Sequence, residues 1–133
     1  MTLSADEREA IVRYRMEKAQ STLIEAEAVA ELGFWSLCSN RLYYSAYYGC
    51  VALLIANGHD ASTHSGVLTL ISRYFVKESI ISQEEGRLLR ELFMMRQSGD
   101  YDDMFDWAEE DIKPLIPKVI NFIDKILGLL KLT

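Results

Sequence analysis

The sequence predicts an all-α protein, an antiparallel up-down bundle of about five helices formed by a single domain over residues 1–133. Three observations predict it. Apolar residues recur at alternating spacings of three and four in every long segment, which is the period of one helical face. Ser or Asp stands three positions before Glu at three places where such a run begins, the pattern of a capping box. No segment alternates apolar and polar residues over a strand's length, and the connections are short, which suits helices laid side by side in opposite directions.

The first run opens at Ser4 with Glu7 and carries Val12, Met16, Ala19, Leu23, Ala26 and Ala30 on one stripe. It predicts a helix over 5–32 that stops at Gly33. A second helix is expected over 34–57, ended by Asn57-Gly58, a pair that readily takes the left-handed conformation of a helix stop. A third runs over 62–78 with Val67, Leu68, Ile71, Tyr74 and Phe75 inward. Ser82 and Glu85 open the fourth, whose apolar face is Leu88, Leu89, Leu92 and Phe93 and whose expected stop is Gly99. Asp106 and Glu109 open the fifth, with Ile116, Val119, Ile120, Ile123, Ile126, Leu127 and Leu130 on one stripe and Pro114 and Pro117 bending its first turns.

Composition bounds the function. At 133 residues the chain is able to bury roughly two-thirds of its unfolded surface without disulfides or metals. Cys38 and Cys50 lack CxxC spacing and sit among apolar neighbours, so buried free thiols in a reducing compartment are expected. The longest apolar run, Val51 to Ala56, falls far short of the ~20 residues a membrane span needs, and no leader-like segment opens the chain. A cytoplasmic protein that does not enter membranes is expected. The net charge of -6 works against nonspecific binding to polyphosphate, so any nucleic-acid contact must be local.

Four groups of residues bear on chemistry. Tyr43, Tyr44, Tyr47 and Tyr48 cover two adjacent faces of the second helix; a wide helix or subunit interface explains them better than a base-stacking platform. Arg41 beside them reads as an ion-pair residue before a phosphate contact. His59 and His64 flank Asp60, yet no Cys or third His completes a metal site, and none is assigned. Seven carboxylates, Asp100, Asp102, Asp103, Asp106, Glu109, Glu110 and Asp111, crowd residues 100–111 as helix caps and dipole partners rather than as a cation site.

The ordered segments "NRLYYSAYYGCVALL", "THSGVLTLISRYFV", "GRLLRELFMMRQSGDYDD" and "WAEEDI" together resemble a HEPN domain (higher eukaryotes and prokaryotes nucleotide-binding) of the small stand-alone prokaryotic kind. The resemblance covers nearly the whole chain. It implies a helical bundle that pairs as a homodimer, and a co-encoded nucleotidyltransferase of the minimal MNT type in a toxin-antitoxin pair. Many members resemble one another in an arginine followed, after four to six residues, by a histidine; in them this motif cleaves RNA without a metal.

Here Arg96 matches the arginine, and Tyr101 stands where the histidine would be. A phenol titrates near about 10 and an imidazole near about 6.5, so tyrosine is roughly a thousandfold less available as a base at neutral pH. The family's toxins also often carry a modifiable tyrosine two positions after the histidine, where this chain has Asp103. The resemblance therefore implies a nucleotide-binding or nucleotidyltransferase-partner protein with a degenerate Arg-x4-Tyr motif, in which Arg96, Asp100, Tyr101 and Arg41 are the candidate nucleotide or RNA contacts. The alternative is a divergent metal-independent ribonuclease toxin acting at a dimer interface, with Arg96, Tyr101 and His64 as catalytic candidates and His64 as the base if the fold brings it near. A third, structural reading pairs Arg96 with Asp100 at i+4. No cofactor is expected.

Overall fold

Two capping boxes form as the sequence requires. Ser4 Oγ accepts from the Glu7 amide at 3.1 Å while the Glu7 carboxylate accepts from the Ser4 amide at 2.9 Å, and this opens α1, Ala5–Glu31. Ser82 and Glu85 make the same pair of bonds at 3.0 and 2.8 Å and open α4, Gln83–Tyr101. The computed structural model describes residues 2–101 and 106–132, with the side chains of 99–101 outside the description. Between these helices lie α2, Trp35–Ala56, and α3, His64–Ile71, which passes into a π-helical turn over Ser72–Val76. After them come α5, Glu109–Ile112, and α6, Leu115–Leu130. No strand occurs among the described residues, and no helix there is long and apolar enough to cross a membrane.

Gly33, at a φ of 79°, reverses the chain between α1 and α2; a residue with a Cβ strains in that left-handed region. The pairing is antiparallel. Arg8 near the start of α1 donates from Nη1 to the Ile55 carbonyl at the end of α2 at 2.5 Å, and mid-helix Ser45 donates to the Ala19 carbonyl at 2.7 Å. Val12, Met16, Ala19, Leu23 and Ala26 are buried as one stripe. α2 is the axis of the bundle and packs against α1, α3, α4, α5 and α6. It meets α6 through Gly49, where a Cβ would stand 3.2 Å from Ile123 Cδ1. A helix so surrounded must be apolar on most faces, and Leu42, Tyr43, Ala46, Cys50, Leu53 and Leu54 are all buried. Both thiols are free and buried, and burial pushes Cys38 up to about 11 and Cys50 up to about 12, which keeps them protonated and unreactive.

Four local expectations need correction. In the third helix Val67, Ile71 and Phe75 point inward, but Tyr74 is 39% exposed and stacks on His59 at 4.0 Å. The cause is the π turn, closed by the Lys77 amide on the Ser72 carbonyl at 3.0 Å. A π turn winds more residues per turn than the α period assumes, so the phase slips, turning Tyr74 out and Val76 in. In the fourth helix Gly99 does not stop the ladder, which runs to Tyr101. Glycine favours a stop only where the chain turns left-handed; within a helix it merely costs about 1 kcal/mol against alanine.

The expected Asp106–Glu109 box does not form, because Ser36 on α2 takes the Asp106 carboxylate and also accepts from the Trp107 amide at 2.9 Å. Ala108 is the N-cap instead, its amide donating to Asp111 Oδ2 at 3.1 Å. Lastly, the prolines do more than bend the fifth segment. It breaks at Lys113–Pro114 into α5 and α6, and Pro117 falls in the first turn of α6, where no intrahelical amide partner is needed. α6 then buries Val119, Phe122, Ile123 and Ile126, each such side chain contributing ~1.5–3 kcal/mol. Lys125 Nζ reaches Glu85 at 2.6 Å and ties α6 to the start of α4. Burial works to raise Glu85, but this bond and those from Ser82 outweigh it and hold the carboxyl below its usual range.

Candidate functional site

The tyrosines of α2 line a junction between helices, one of the two kinds of interface expected of them. Their rings gather into one cluster at the junction of α2, α3 and α4, with centroid separations of 5.1 Å for Tyr43–Tyr44, 5.9 Å for Tyr43–Tyr47 and 6.0 Å for Tyr44–Tyr48. Tyr43 is buried, and Tyr44, Tyr47 and Tyr48 are half-buried. His64, in the first turn of α3, enters this cluster. Its ring stacks on Tyr47 at 4.3 Å with only 8° between the planes, lies 6.0 Å edge-on from Tyr44, and places Nδ1 2.5 Å from the Tyr43 hydroxyl. The Thr63 cap, accepting from the Gly66 amide at 3.0 Å, fixes the turn that aims it.

Arg96 arrives from α4 on the face that carries Leu92 and Phe93. Its guanidinium carbon lies 5.9 Å from the Tyr43 centroid and 5.8 Å from that of Tyr44. Arg41 comes from α2 itself and rests 5.4 Å from the Tyr44 centroid, held by Glu25 on α1 at 3.2 Å and by Asn40 Oδ1 at 2.8 and 3.1 Å. Two guanidinium groups therefore share one phenol ring, an arrangement cation–π attraction favours. Arg15 on α1 is a third cation close enough to act on Tyr47; its buried Nε has no hydrogen-bond partner. Sequence reasoning missed Arg15, although its place beside Val12 and Met16 on the flank of the core stripe marks an arginine drawn inward.

The electrostatics follow from burial first. Desolvation holds the Tyr43 phenol well above the usual tyrosine range and raises that of Tyr47, with Arg96 partly opposing this at Tyr43 and Arg15 at Tyr47. Both therefore keep their protons at neutral pH. Desolvation also lowers His64, and the Arg96 charge lowers it further, so the imidazole is neutral there. Among the described residues the Tyr43 hydroxyl has a single hydrogen-bond partner, Nδ1 of His64. A phenol that donates to Nδ1 leaves the imidazole proton on Nε2, whereas an Nδ1–H reverses the bond, and the distance fits both. In the first tautomer His64 is a hydrogen-bond donor at its outer nitrogen.

Of the candidates, the fold brings Arg96, His64 and Arg41 together. The backbones of Asp100 and Tyr101 occupy the last turn of α4, while their side chains, and the whole of Asp102 and Asp103, lie outside the described residues. His59 is elsewhere, on Tyr74. No group of three or more His, Cys, Asp or Glu among the described residues is arranged to hold a metal ion.

The profile of the HEPN domain matches residues 12–129. The chain belongs to the HEPN domain family. It is 34% identical over 126 residues to a "UPF0332 protein" of Thermotoga maritima, covering 95% of this chain and 96% of the relative. It is 30% identical over 110 residues to a protein of Methanocaldococcus jannaschii named "Putative toxin MJ0142", covering 83% of this chain and 75% of that one. The crystal structure of TT1696 from Thermus thermophilus shares the fold with a TM-score of 0.67 at 18% identity, over 90% of this chain and 95% of that one.

Proposed function

We propose that this chain is a toxin-type HEPN protein that binds the phosphates of a nucleotide or RNA, works as a homodimer and pairs with a co-encoded nucleotidyltransferase. The observation that carries the reading is the convergence of Arg96, Arg41 and His64 on the Tyr43–Tyr44 rings. In a chain of net charge -6 such a cation group is a local exception, and its guanidinium forks match phosphate oxygens. A half-buried aromatic floor beside them suits a nucleobase. Names of relatives such as the Methanocaldococcus jannaschii protein support the toxin class. Asp100 and Tyr101, the next turn after Arg96, are assigned as flanking contacts on sequence grounds, Tyr101 as a hydrogen-bond donor.

Calorimetric titration of the purified protein with ATP, and separately with the neighbouring nucleotidyltransferase, tests this. Binding that Arg96→Ala abolishes is expected for ATP; binding to neither removes the proposal. Light scattering at micromolar concentration should give twice the mass of the chain.

A second reading, a metal-independent ribonuclease, draws support from the meeting of His64 with Arg96. It requires the tautomer with Nε2 unprotonated, in which Nδ1–H donates to the Tyr43 hydroxyl. Total RNA incubated with the protein in EDTA decides it: intact RNA ends this reading and leaves the binding function standing.

A further inference from the structure

A groove of about 710 Å³ lies between α3 with its π turn and α4. Its floor is aliphatic, formed by Leu68, Ile71, Val76 and Leu89, and Phe93 adds a ring. Arg73, Lys77 and Arg90 stand on its walls, and no carboxylate lines it among the described residues, although the chain holds 20 acids against 14 Lys and Arg. All three cations are exposed, and none has an ion-pair partner among the described residues. Gly86 keeps the floor open, since a Cβ on it would stand 3.3 Å from Val76.

The turn between α1 and α2 is the counterpart of this groove in shape and in charge. Leu32 is 68% exposed and Phe34 56% exposed on either side of Gly33, where a Cβ would meet no atom within 4 Å. Glu27, Glu31 and Asp106 stand around this tip, exposed and without an ion-pair partner among the described residues; Ser36 holds Asp106 there. Large apolar side chains left together in water mark an interaction surface. The two features lie toward opposite ends of α2, 22 residues long and so about 33 Å. Phe34 directly precedes its first residue, whereas Arg73 and Lys77 lie within three residues of Tyr74, whose ring stacks on His59 just past its last. The turn is therefore too far away to enter the cationic end of its own groove.

We propose that the acidic α1–α2 turn of one copy of the chain docks in the cationic α3–α4 groove of a second copy, with Leu32 and Phe34 on the apolar floor and Glu27, Glu31 and Asp106 facing Arg73, Lys77 and Arg90. Unlike surfaces meet, so each copy keeps a free groove or turn for the next, and the assembly grows past two. The contact goes beyond the proposed phosphate site and uses none of its residues. A nucleic-acid strand would also match the cations, but a floor so largely aliphatic lacks the successive rings on which bases stack. Leucine and phenylalanine side chains fill such a floor, and the acids around them complete a polar rim. One turn in one groove makes a small interface, so the association is weak and depends on concentration.

The test is sedimentation velocity of the purified protein over a wide range of concentration. The parent should pass from its limiting low-concentration mass, which reads the homodimer separately, to larger species, and should return to that mass at about 1 M salt, where charges are screened beyond about 3 Å. The groove variant Arg73→Glu, Lys77→Glu, Arg90→Glu and the turn variant Glu27→Lys, Glu31→Lys should each stay small, a loss on the order of 100-fold in association, because like charges then face each other. Mixed in equal amounts the two variants should recover the larger species, since each supplies the surface that the other's reversal requires. The uncharged variant Leu32→Ser, Phe34→Ser should stay small with every charge in place. A parent mass that does not rise with concentration overturns the proposal, and so does a mixture of the reversed variants that stays small. Larger species in either turn variant equal to those of the parent overturn it in favour of a different occupant of the groove, and larger species that nuclease treatment of the parent removes overturn it in favour of a nucleic acid.

Discussion

Tyr43→Phe removes one oxygen from the centre of the candidate site and leaves its ring stacking in place. The oxygen lost lies 2.5 Å from His64 Nδ1, at a residue only 3% exposed. A neutral hydrogen bond is worth about 0.5–1.5 kcal/mol net, and stranding a buried partner adds to that. His64 is half-exposed, so water recovers part of the second amount. The loss should be about 1–2 kcal/mol. At an unfolding entropy of about 2.1 cal/mol/K per residue, a chain of 133 residues then melts about 4–7 °C lower. Thermal unfolding followed by circular dichroism measures this, and long-range 1H–15N spectra of the imidazole read the tautomer directly. The parent should show the proton on Nε2, and the variant a mixture. A melting point within 1 °C of the parent, or a parent imidazole protonated at Nδ1, refutes the reading of His64 as an outward donor.

Further outcomes are expected from other sites. Because His64 is lowered in the fold, the unfolded chain takes up a proton first as pH drops below the ordinary histidine value, so stability falls as the pH is lowered from about 7 to 5.5. Urea titrations should show a shallower fall for His64→Phe over that window; equal slopes would contradict the lowering. Phe122→Ala, at a site with 0% exposure, should cost about 3–5 kcal/mol by denaturant unfolding. Gly33→Ala and Gly128→Ala should move the melting point in opposite directions. Neither added Cβ meets an atom within 4 Å, but Gly33 sits at a φ of 79° whereas Gly128 lies inside α6, so the first loses about 1–2 kcal/mol and the second gains about 0.5–1 kcal/mol.

What the sequence disclosed follows from how local its causes are. The stripe from Val12 to Ala26 and the Ser4 and Ser82 boxes depend on neighbours within four residues, and they appear as expected. Gly99, Tyr74 and Asp106 misled because something distant or cooperative decided them: a helix ladder that tolerates a glycine, a π turn that slips the phase, and a serine on α2 that claims the carboxylate. At the site, resemblance directed attention to Arg96. The meeting of Arg96 with His64 spans 32 positions, from α3 to α4, and has no sequence period to announce it. Arg15 shows the same limit, since only the folded position of Tyr47 makes it a neighbour of the cluster.

The π turn at Ser72–Val76 acts as a gear between two halves of one rod. Phe75 and Val76 within it and Ile81 beyond it are seated in the core; on its near side His64 meets Tyr43. A π turn takes up one more residue than an α turn over the same rotation, so deleting one residue within it would restore ordinary α winding and leave the two halves facing as they do. The same deletion on the near side, between His64 and Ser72, would rotate the imidazole by about 100° unless the π turn unwound to compensate. The turn is thus slack in the rod, and related chains one residue shorter there are expected to carry a plain α-helix with the imidazole still among the tyrosines.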